Sequence, residues 1–383
     1  DEFRMSHAWV LDVASRTAAH VTTGSALSVR GALSWSPDGT RLAFAAAPTP
    51  MLRDDRLDVY IATVSDRTVE KITSNGGADS SPFWSPDGRT IAFVTEPPSR
   101  FRPGPDGLAT ADPRQSRLAF YDVRARAVIE APFELEPAIL AWTPDSDRLL
   151  LRVGKGTCNE VFSYDVAAKR FTQLTSGRMI AFGSLSTDGT AAAFVMESAS
   201  QPPDVYASDA SFASPRRLTA ANPQAAAFTL GEAEVITWKN EGFDVEGVLI
   251  KPAGYRAGTR YPLLVVVHGG PAGAHMNGYR VTYGDGGQHW AGQGWAVLYP
   301  NPRGGTNYGE AFLRANIPDW GGGDFRDIMA GVDAAIARGI ADPDRLGEAV
   351  AVLRGVTVTP QDLTGYAPIR HRREAQHDNR HGE

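Results

Sequence analysis

The sequence of 383 residues lacks several features that would assign it to a specialised class of protein. Its single cysteine, Cys158, excludes an internal disulfide. No apolar run approaches the ~18 residues of a membrane-spanning helix. A net charge of −6, with no basic block before the last residues, argues against nucleic acid as the main partner. No serine follows Ser214. With 42% hydrophobic and 21% charged residues, we expect a soluble globular protein, long enough for two domains.

A tryptophan and turn motif repeats through the first part of the chain. SWSPDG at Ser34–Gly39 recurs as FWSPDG at Phe83–Gly88, and in weaker form at Ala141–Ser146 and Ser184–Gly189. Successive copies are 49, 58 and 43 residues apart, and the longest interval contains the proline- and glycine-rich insert Pro97–Pro113. Without that insert the spacing approaches the ~40–50 residues of a propeller blade. The repeat therefore predicts a β-propeller, and the alternative is an all-β sandwich.

The chemistry of the turns and strands agrees with this interpretation. Proline presets φ at the second turn position, aspartate tolerates the third and glycine closes the turn, which suits a type I turn in a hairpin. The strand after each turn alternates apolar residues, beginning with Leu42 and Phe44, and a second hairpin follows each time. Trp9–Val21 has the pattern of one more outer strand pair. Because a blade has four strands, the sequence predicts an incomplete propeller of about four to five blades over residues 1–218.

After a linker at residues 219–233, the chain has the pattern of an α/β sheet. We expect a helix that follows Gly321–Gly323, with Asp324 as its cap, and ends at Gly339. Strands that run into glycine-rich turns are how such sheets present backbone N–H groups to a ligand. The predicted strands are Val235–Trp238, Val245–Ile250, Tyr261–Val267 and Trp295–Pro300.

Four ordered motifs in this region carry a resemblance to a known family. They are H-G-G-P at His268–Pro271, N-P-R-G-G-T-N-Y-G at Asn301–Gly309, D-W-G-G-G-D-F-R-D at Asp319–Asp327 and D-P-D-R-L-G at Asp342–Gly347. Together they resemble the prolyl oligopeptidase family of serine peptidases, in particular its acylaminoacyl-peptidase and dipeptidyl-peptidase branches. The resemblance implies a partial α/β-hydrolase domain at residues 234–347, short peptides as substrates, no cofactor, and a propeller that restricts which substrates enter.

The resemblance implies one catalytic element in this chain. The backbone N–H of Gly270 matches the family's oxyanion loop, where it stabilises the oxygen of the tetrahedral intermediate. His268, Gly269 and Arg303 are expected to support the loops. His268 is not expected to be the triad base, because it precedes the position of the nucleophile. For H-G-G-P alone, the alternative is a tight turn at the end of a strand without chemistry.

The resemblance stops after Gly347. In the family the next strand ends in a G-x-S-x-G turn that carries the nucleophile, and the Asp and His of the triad follow. Here E-A-V-A-V-L-R-G follows, without serine, so no triad residue is assigned and we expect a truncated, inactive member.

A shift of the reading frame accounts for this break. Val350–Gly355 can be encoded by GTG-GCT-GTC-CTA-CGG-GGN. Read one base later, that string encodes Trp-Leu-Ser-Tyr-Gly, and a second Gly follows when N is G. We therefore hypothesise that the residues after about Leu346 are translated out of frame.

We expect residues 348–383 to form an aberrant, disordered tail. Val356–Val358 is the only replacement for the central strand that we expect there, which would leave an open sheet edge. His371, His377 and His381 lack an apolar frame, so no metal site is expected.

Two functional alternatives stay open. One is a non-enzymatic binding or scaffold protein that uses the propeller face, and the other is an esterase on the same hydrolase half. The chain begins at Asp1 and not at a methionine. The sequence therefore leaves the compartment open between the cytoplasm and, if a signal peptide has been lost, the periplasm or exterior. It carries no signal for the oligomeric state.

Overall fold

The computed structural model describes residues 4–50, 56–98, 102–103, 109–110, 114–131, 133–269, 272–281, 286–317 and 319–351. Propeller strands occupy the first part of this range and an α/β sheet the second.

The first part consists of a hairpin followed by four blades, each of four antiparallel strands, and a single parallel pairing of Asn159 with Met179 joins blades three and four into one eight-stranded sheet. The hairpin is β1 (Trp9–Asp12) with β2 (Thr17–His20), and blade one is β3 (Ser28–Trp35), β4 (Arg41–Ala47), β5 (Asp58–Thr63) and β6 (Val69–Lys71). Blade two is β7 (Ala78–Trp84), β8 (Thr90–Glu96), β11 (Arg117–Asp122) and β12 (Ala127–Ala131), interrupted by the short strands β9 (Arg102–Pro103) and β10 (Ala109–Thr110). Blade three is β13 (Pro137–Trp142), β14 (Arg148–Lys155), β15 (Cys158–Asp165) and β16 (Arg170–Gln173). Blade four is β17 (Met179–Leu185), β18 (Ala191–Ser198), β19 (Gln201–Asp209) and β20 (Arg216–Arg217). The predicted incomplete propeller is confirmed.

Each SPDG copy lies at the tip of the first hairpin of a blade, as predicted. In blade one the Gly39 N–H donates to the Ser36 carbonyl at 2.9 Å, and Gly39 has a φ of +69°. In the degraded third copy Ser146 takes the place of glycine and adopts a φ of +64°. The turn geometry is therefore kept in blade three without glycine, in a region of φ that is uncommon for other residues.

The second strands of blades one to three have buried residues on both faces, because blades stack against one another, whereas in blade four Ala191 and Ala193 face outward and are exposed. Leu42 and Phe44 pack into a cluster with the first hairpin, whereas Ala43 between them packs against residues of blade two. In the same way Leu149 and Leu151 face blade two, and Leu150 faces blade four. The alternation seen in the sequence thus distributes side chains between two interblade cores.

After the one-turn 3₁₀ segment Pro223–Ala227 the chain enters a five-stranded mixed sheet, ordered β21-β22-β24-β23-β25. The strands β23, β24 and β25 are mutually parallel, and β21 and β22 pair antiparallel at one edge. The strands are β21 (Ala233–Asn240), β22 (Phe243–Ile250), β23 (Tyr261–His268), β24 (Ala296–Asn301) and β25 (Ala341–Ala351).

Strand β25 departs from the sequence-based expectation. It continues to Ala351, beyond the boundary placed at Gly347, and pairs with β23 from Leu346 onward. Asp342–Arg345 leaves the ladder as a bulge, since Tyr261 pairs with Ala341 and Leu263 with Leu346. The apolar Val265–Val267 edge accepts any extended partner, so pairing needs no family motif. Within the described residues, β23 therefore has a neighbour on both sides, and Val356–Val358 lies outside them.

Three helices follow parts of this sheet, namely α1 (Gly287–Gly292), α2 (Glu310–Arg314) and α3 (Gly323–Ala337). Helix α3 packs its buried Met329, Val332 and Ala335 on the sheet, in one core with Leu263 and Leu298. The predicted cap was wrong, because Gly322 is the N-cap and Asp324 lies in the first turn. There its carboxylate accepts hydrogen bonds from the N–H of the next residue and from the side-chain amide of Asn316. Its negative charge also interacts favourably with the positive N-terminal end of the helix dipole.

Candidate active site

The carboxyl ends of the three parallel strands meet at one edge of the sheet. Strand β23 ends at His268, β24 at Asn301, and β25 reaches Ala351, which lies in register with His268. In open α/β sheets, ligands bind outside the carboxyl ends of the strands. We call this edge, with the loops at residues 272–281 and 302–309, the active edge.

The H-G-G-P motif begins this edge. Gly270, the expected oxyanion donor, lies outside the described residues, so its assignment stays a prediction. Gly269 is exposed, and its carbonyl accepts a hydrogen bond from His268 Nδ1 at 3.2 Å. His268 Nε2 is buried and has no partner among the residues that the structure describes. Burial lowers the pKa of His268, so the ring is neutral with its proton on Nδ1, and Nε2 is an acceptor.

A second histidine, not singled out from the sequence, packs behind the first. The rings of His268 and His275 meet edge to face at 5.0 Å between centroids. His275 Nε2 lies 3.0 Å from the Val266 carbonyl, which can only accept, so Nε2 carries the proton. Burial, with the nearby Arg280 and His268, lowers the pKa of His275 to about 3. His275 is therefore a fixed neutral donor that holds the loop onto β23.

A buried polar network joins the two loops of the active edge. Asn301 accepts the His275 N–H at 2.6 Å, and its amide donates to the His275 carbonyl at 3.0 Å and to the Tyr308 hydroxyl at 2.8 Å. The Tyr308 hydroxyl donates to Glu246 of β22 at 3.0 Å. Burial and the Glu246 charge raise the pKa of Tyr308. The network fixes both loops relative to the sheet, because each buried polar group has a partner.

Sequence reasoning missed all four side chains of this network. Asn301 and Tyr308 lie inside the N-P-R-G-G-T-N-Y-G motif, so a signal was present there. Glu246 and His275 are single polar residues in apolar or loop surroundings, and only the fold brings them together.

Arg303, expected to support a loop, makes the most buried ion pair of this part of the molecule. Its Nε and Nη2 contact the two carboxylate oxygens of Asp327 at 2.8 and 2.7 Å, and its backbone N–H donates to the same carboxylate at 2.9 Å. Asp327 is fully buried, and Glu241 accepts from Nη1 at 2.9 Å. The N-P-R-G loop is thereby fixed to helix α3, by a bidentate geometry that lysine cannot reproduce.

The propeller closes over one side of the active edge. A cavity of about 790 Å³ lies between blade two and the loop after β24. Beside it, Arg114 and Arg117 of the propeller contact Glu310 of helix α2 at 3.3 and 3.2 Å. The lining residues are Gln115, Arg117, Glu130, Phe133 and Glu134 from blade two, and Tyr308, Gly309, Glu310 and Ala311.

No cluster of three or more ligating side chains suited to a metal ion occurs in the described ranges. None of the helices described here is both long and apolar enough to cross a membrane.

Comparisons with known proteins agree with this architecture. Residues 2–100 match the profile of the TolB beta propeller domain, and residues 285–349 match that of the prolyl oligopeptidase family. The chain is 42% identical over 135 residues to the uncharacterized peptidase YuxL of Bacillus subtilis, an alignment of 34% of this chain and 20% of the relative. It is 31% identical over 102 residues to dipeptidyl-peptidase 5 of Aspergillus fumigatus, covering 26% of this chain and 14% of that protein.

Solved structures with the same fold include two peptidases. A puromycin-hydrolyzing peptidase of Mycobacterium tuberculosis superposes with a TM-score of 0.61 at 22% identity, over 87% of this chain and 51% of that one. The acylaminoacyl peptidase of Pyrococcus horikoshii gives 0.56 at 19% identity, over 89% and 62%. At these identities the likeness shows the fold alone. The matches cover 20% or less of the two curated relatives and at most 62% of these two structures.

Proposed function

Because the chain belongs to the prolyl oligopeptidase family, we propose that its gene specifies a serine-type peptidase for short peptides, of the acylaminoacyl- or dipeptidyl-peptidase kind. Such an enzyme works by acyl transfer. A serine attacks the peptide carbonyl, a histidine takes the serine proton and returns it to the leaving amine, and water then releases the acyl group.

The observation that carries the proposal is the register of β25 on β23. Ala351 pairs with His268, the first residue of H-G-G-P. Neighbouring strands lie ~4.8 Å apart, so Ala351, the last described residue of β25, lies at the active edge beside the residue that begins the H-G-G-P motif. In α/β-hydrolases the nucleophile stands on the sharp turn that follows such a strand.

The residues of this chain would then prepare the edge for the reaction. We propose that the Gly270 N–H donates to the oxygen of the tetrahedral intermediate, an interaction whose loss costs ~10²–10³-fold in rate in other acyl-transfer enzymes. Arg303, His275 and Asn301 would hold the surrounding loops through the contacts described above. Preorganised donors need no rearrangement during the reaction, which is why these buried contacts matter.

The chain as it stands is proposed to be inactive. The residue after Ala351 is Val352, and no serine occurs beyond Ser214. In the shifted frame described above, serine replaces Val352, the residue that follows Ala351 in the sequence. An oxyanion site with substrate binding alone leaves only ~10³–10⁴-fold catalysis over water.

A covalent serine-directed phosphonate probe tests the proposal. The present chain should not be labelled, whereas the product of the frame shifted by one base, with its downstream coding sequence, should be labelled at the new serine. The same product with that serine replaced by alanine is the control. Specific labelling of the present chain, or no labelling of the shifted product, contradicts the proposal.

A further inference from the structure

A hairpin of the third propeller blade reaches into the active edge. We call it the docking hairpin, Gly154–Cys158, at the turn between β14 and β15. Both backbone polar groups of Gly156 are bonded across the interface, since its N–H donates to the Asn307 carbonyl at 3.1 Å and its carbonyl accepts from Asn307 Nδ2 at 3.0 Å. The carbonyl of Thr157 accepts the N–H of Asn277 at 2.8 Å. The hairpin therefore contacts both loops of the active edge.

The approach leaves no room for a Cβ at two glycines unless a neighbouring side chain shifts. A Cβ on Gly154 would lie 2.0 Å from Asn307 Oδ1, and a Cβ on Gly156 would lie 2.4 Å from Glu246 Oε1. Gly156 also has a φ of +56°. Asn307 has a φ of +74°, and asparagine tolerates this left-handed region best among the residues that carry a Cβ. The hairpin backbone thus packs directly against the side chains of Asn307 and Glu246.

The contacted loops are those that carry the chemistry. Asn277 follows the H-G-G-P segment, Asn307 lies in N-P-R-G-G-T-N-Y-G, and Glu246 holds the Tyr308 hydroxyl. Blade four adds a contact of the same kind, because Glu197 accepts the backbone N–H of Tyr279 and lies 2.5 Å from where a Cβ of Gly278 would be.

We propose that the docking hairpin is a positioning element of the active edge, so that the propeller holds the loops in their working geometry in addition to covering them. A catalytic purpose for this positioning rests on the proposed function, whereas the positioning of the loops rests only on the contacts described above. A loop held by a few hydrogen bonds opens locally at a low free energy, and removal of the docking contacts should lower it further.

Amide hydrogen exchange of the chain tests this, with Asn307→Gly as the main variant. Glycine adopts the positive φ without strain, so the variant loses the side-chain bond to the Gly156 carbonyl and a weaker bond to Met276 Sδ in the neighbouring loop. The Gly156→Ala pair below acts on the hairpin side alone. One such bond contributes about 1 kcal/mol, or roughly 5-fold in local opening. Exchange within residues 272–281 and 303–309 should rise by about that factor, with β23 unchanged.

Gly156→Ala, compared with Gly177→Ala, supplies the matched pair. Both glycines have positive φ, +56° and +70°, but no atom lies within 4 Å of a Cβ on Gly177. Both variants strain a turn of the propeller, and only Gly156→Ala should speed exchange in the two loops. Unchanged loops in Asn307→Gly, or an equal rise in Gly177→Ala, would overturn the proposal. Because exchange needs no catalysis, failure of the peptidase assignment would leave this result intact.

Discussion

Ala351 stands opposite His268 at the carboxyl ends of two parallel strands. The pairing gives β23 a neighbour on each side and brings the end of β25 to the loop that begins with His268. The H-G-G-P motif and the last described residue of β25, which carries no family motif, therefore lie at the same edge of the sheet. The proposed peptidase site depends on this relationship.

The buried ion pair of Arg303 should dominate the stability of the hydrolase part. Arg303→Gln leaves the fully buried Asp327 without its charged partner, although the Asn240 amide and the backbone N–H of residue 303 still donate to it. We expect a loss of about 3–5 kcal/mol in the free energy of unfolding. Arg326→Gln is the control, because Arg326 is 39% exposed where it pairs with Glu241 and Asp319, and such pairs contribute about 0–1 kcal/mol. Urea denaturation compares the two variants. Equal losses of unfolding free energy in the two variants would show that the buried pair with Asp327 contributes no more than an exposed one.

The threonine that closes each of three blades should matter according to its burial. In blade three Thr175 accepts the Val161 N–H at 2.8 Å and donates to buried Glu160. Thr175→Val removes the acceptor of the Val161 N–H and the donor to Glu160 Oε2, while the Arg178 N–H still donates to Glu160 Oε1, and should cost about 1–3 kcal/mol. Thr219 accepts the Val205 N–H in the same way and also donates to Asp204 at 2.7 Å. Thr219 is exposed, and Asp204 keeps donors from Arg217 and Ala221, so Thr219→Val should cost less stability than Thr175→Val. Thermal unfolding of both variants measures the two losses, and a larger loss of stability for Thr219→Val than for Thr175→Val would contradict the prediction.

The turn aspartates should make the propeller sensitive to acid. Hydrogen bonds, first from the Ser36 hydroxyl and the Thr40 N–H, lower the pKa of Asp38 to about 2, and the same contacts in blade four lower the pKa of Asp188 to about 2. Since the unfolded pKa is about 3.9, this stabilisation is present above pH ~4 and is lost as the pH falls towards 2. A double Asp38→Asn, Asp188→Asn variant should show a shallower loss of stability over that range. An unchanged acid profile would count against the turn contacts.

His275 should stay neutral in the folded protein. Its pKa of about 3 lies below the unfolded value of about 6.5. The unfolded chain therefore binds the extra proton between these pH values, and this residue's contribution to stability declines as the pH falls through that range. Ring nitrogen chemical shifts followed by NMR should show no titration of His275 between pH 5 and 8. A midpoint inside that interval would mean that the ring is not held against β23 as the structure has it.

The propeller could be predicted from sequence because its turns repeat with a fixed chemistry. The copies at Ser34–Gly39 and Phe83–Gly88 specify the hairpin tip locally, and the apolar alternation after them specifies the strand. The similar blade endings at Thr73, Thr175 and Thr219 were visible, but the bond from each hydroxyl to the third strand appears only when the strands pair.

The active edge was less predictable, because its contacts join residues far apart in the chain. Arg303 and Asp327 both lie in recognised motifs, but nothing in the sequence shows that they pair across 24 residues. Strand β25 was missed because the segment after Gly347 was assessed by its absent nucleophile motif, whereas strand pairing requires only an extended apolar segment beside Val265–Val267. Glu246 has no local signal, since its partner Tyr308 comes from another loop.

The coding DNA around the codons of Gly347–Gly355 tests the central claim most directly, namely that a nucleophile turn belongs immediately after Ala351. We predict a sequence in which a shift of one base places serine at the position of Val352 and glycine two residues later, with an Asp and then a His of the triad downstream in the same frame. If no shifted frame restores such a turn and its downstream residues, the active edge described here has no nucleophile and the peptidase assignment for this gene is contradicted.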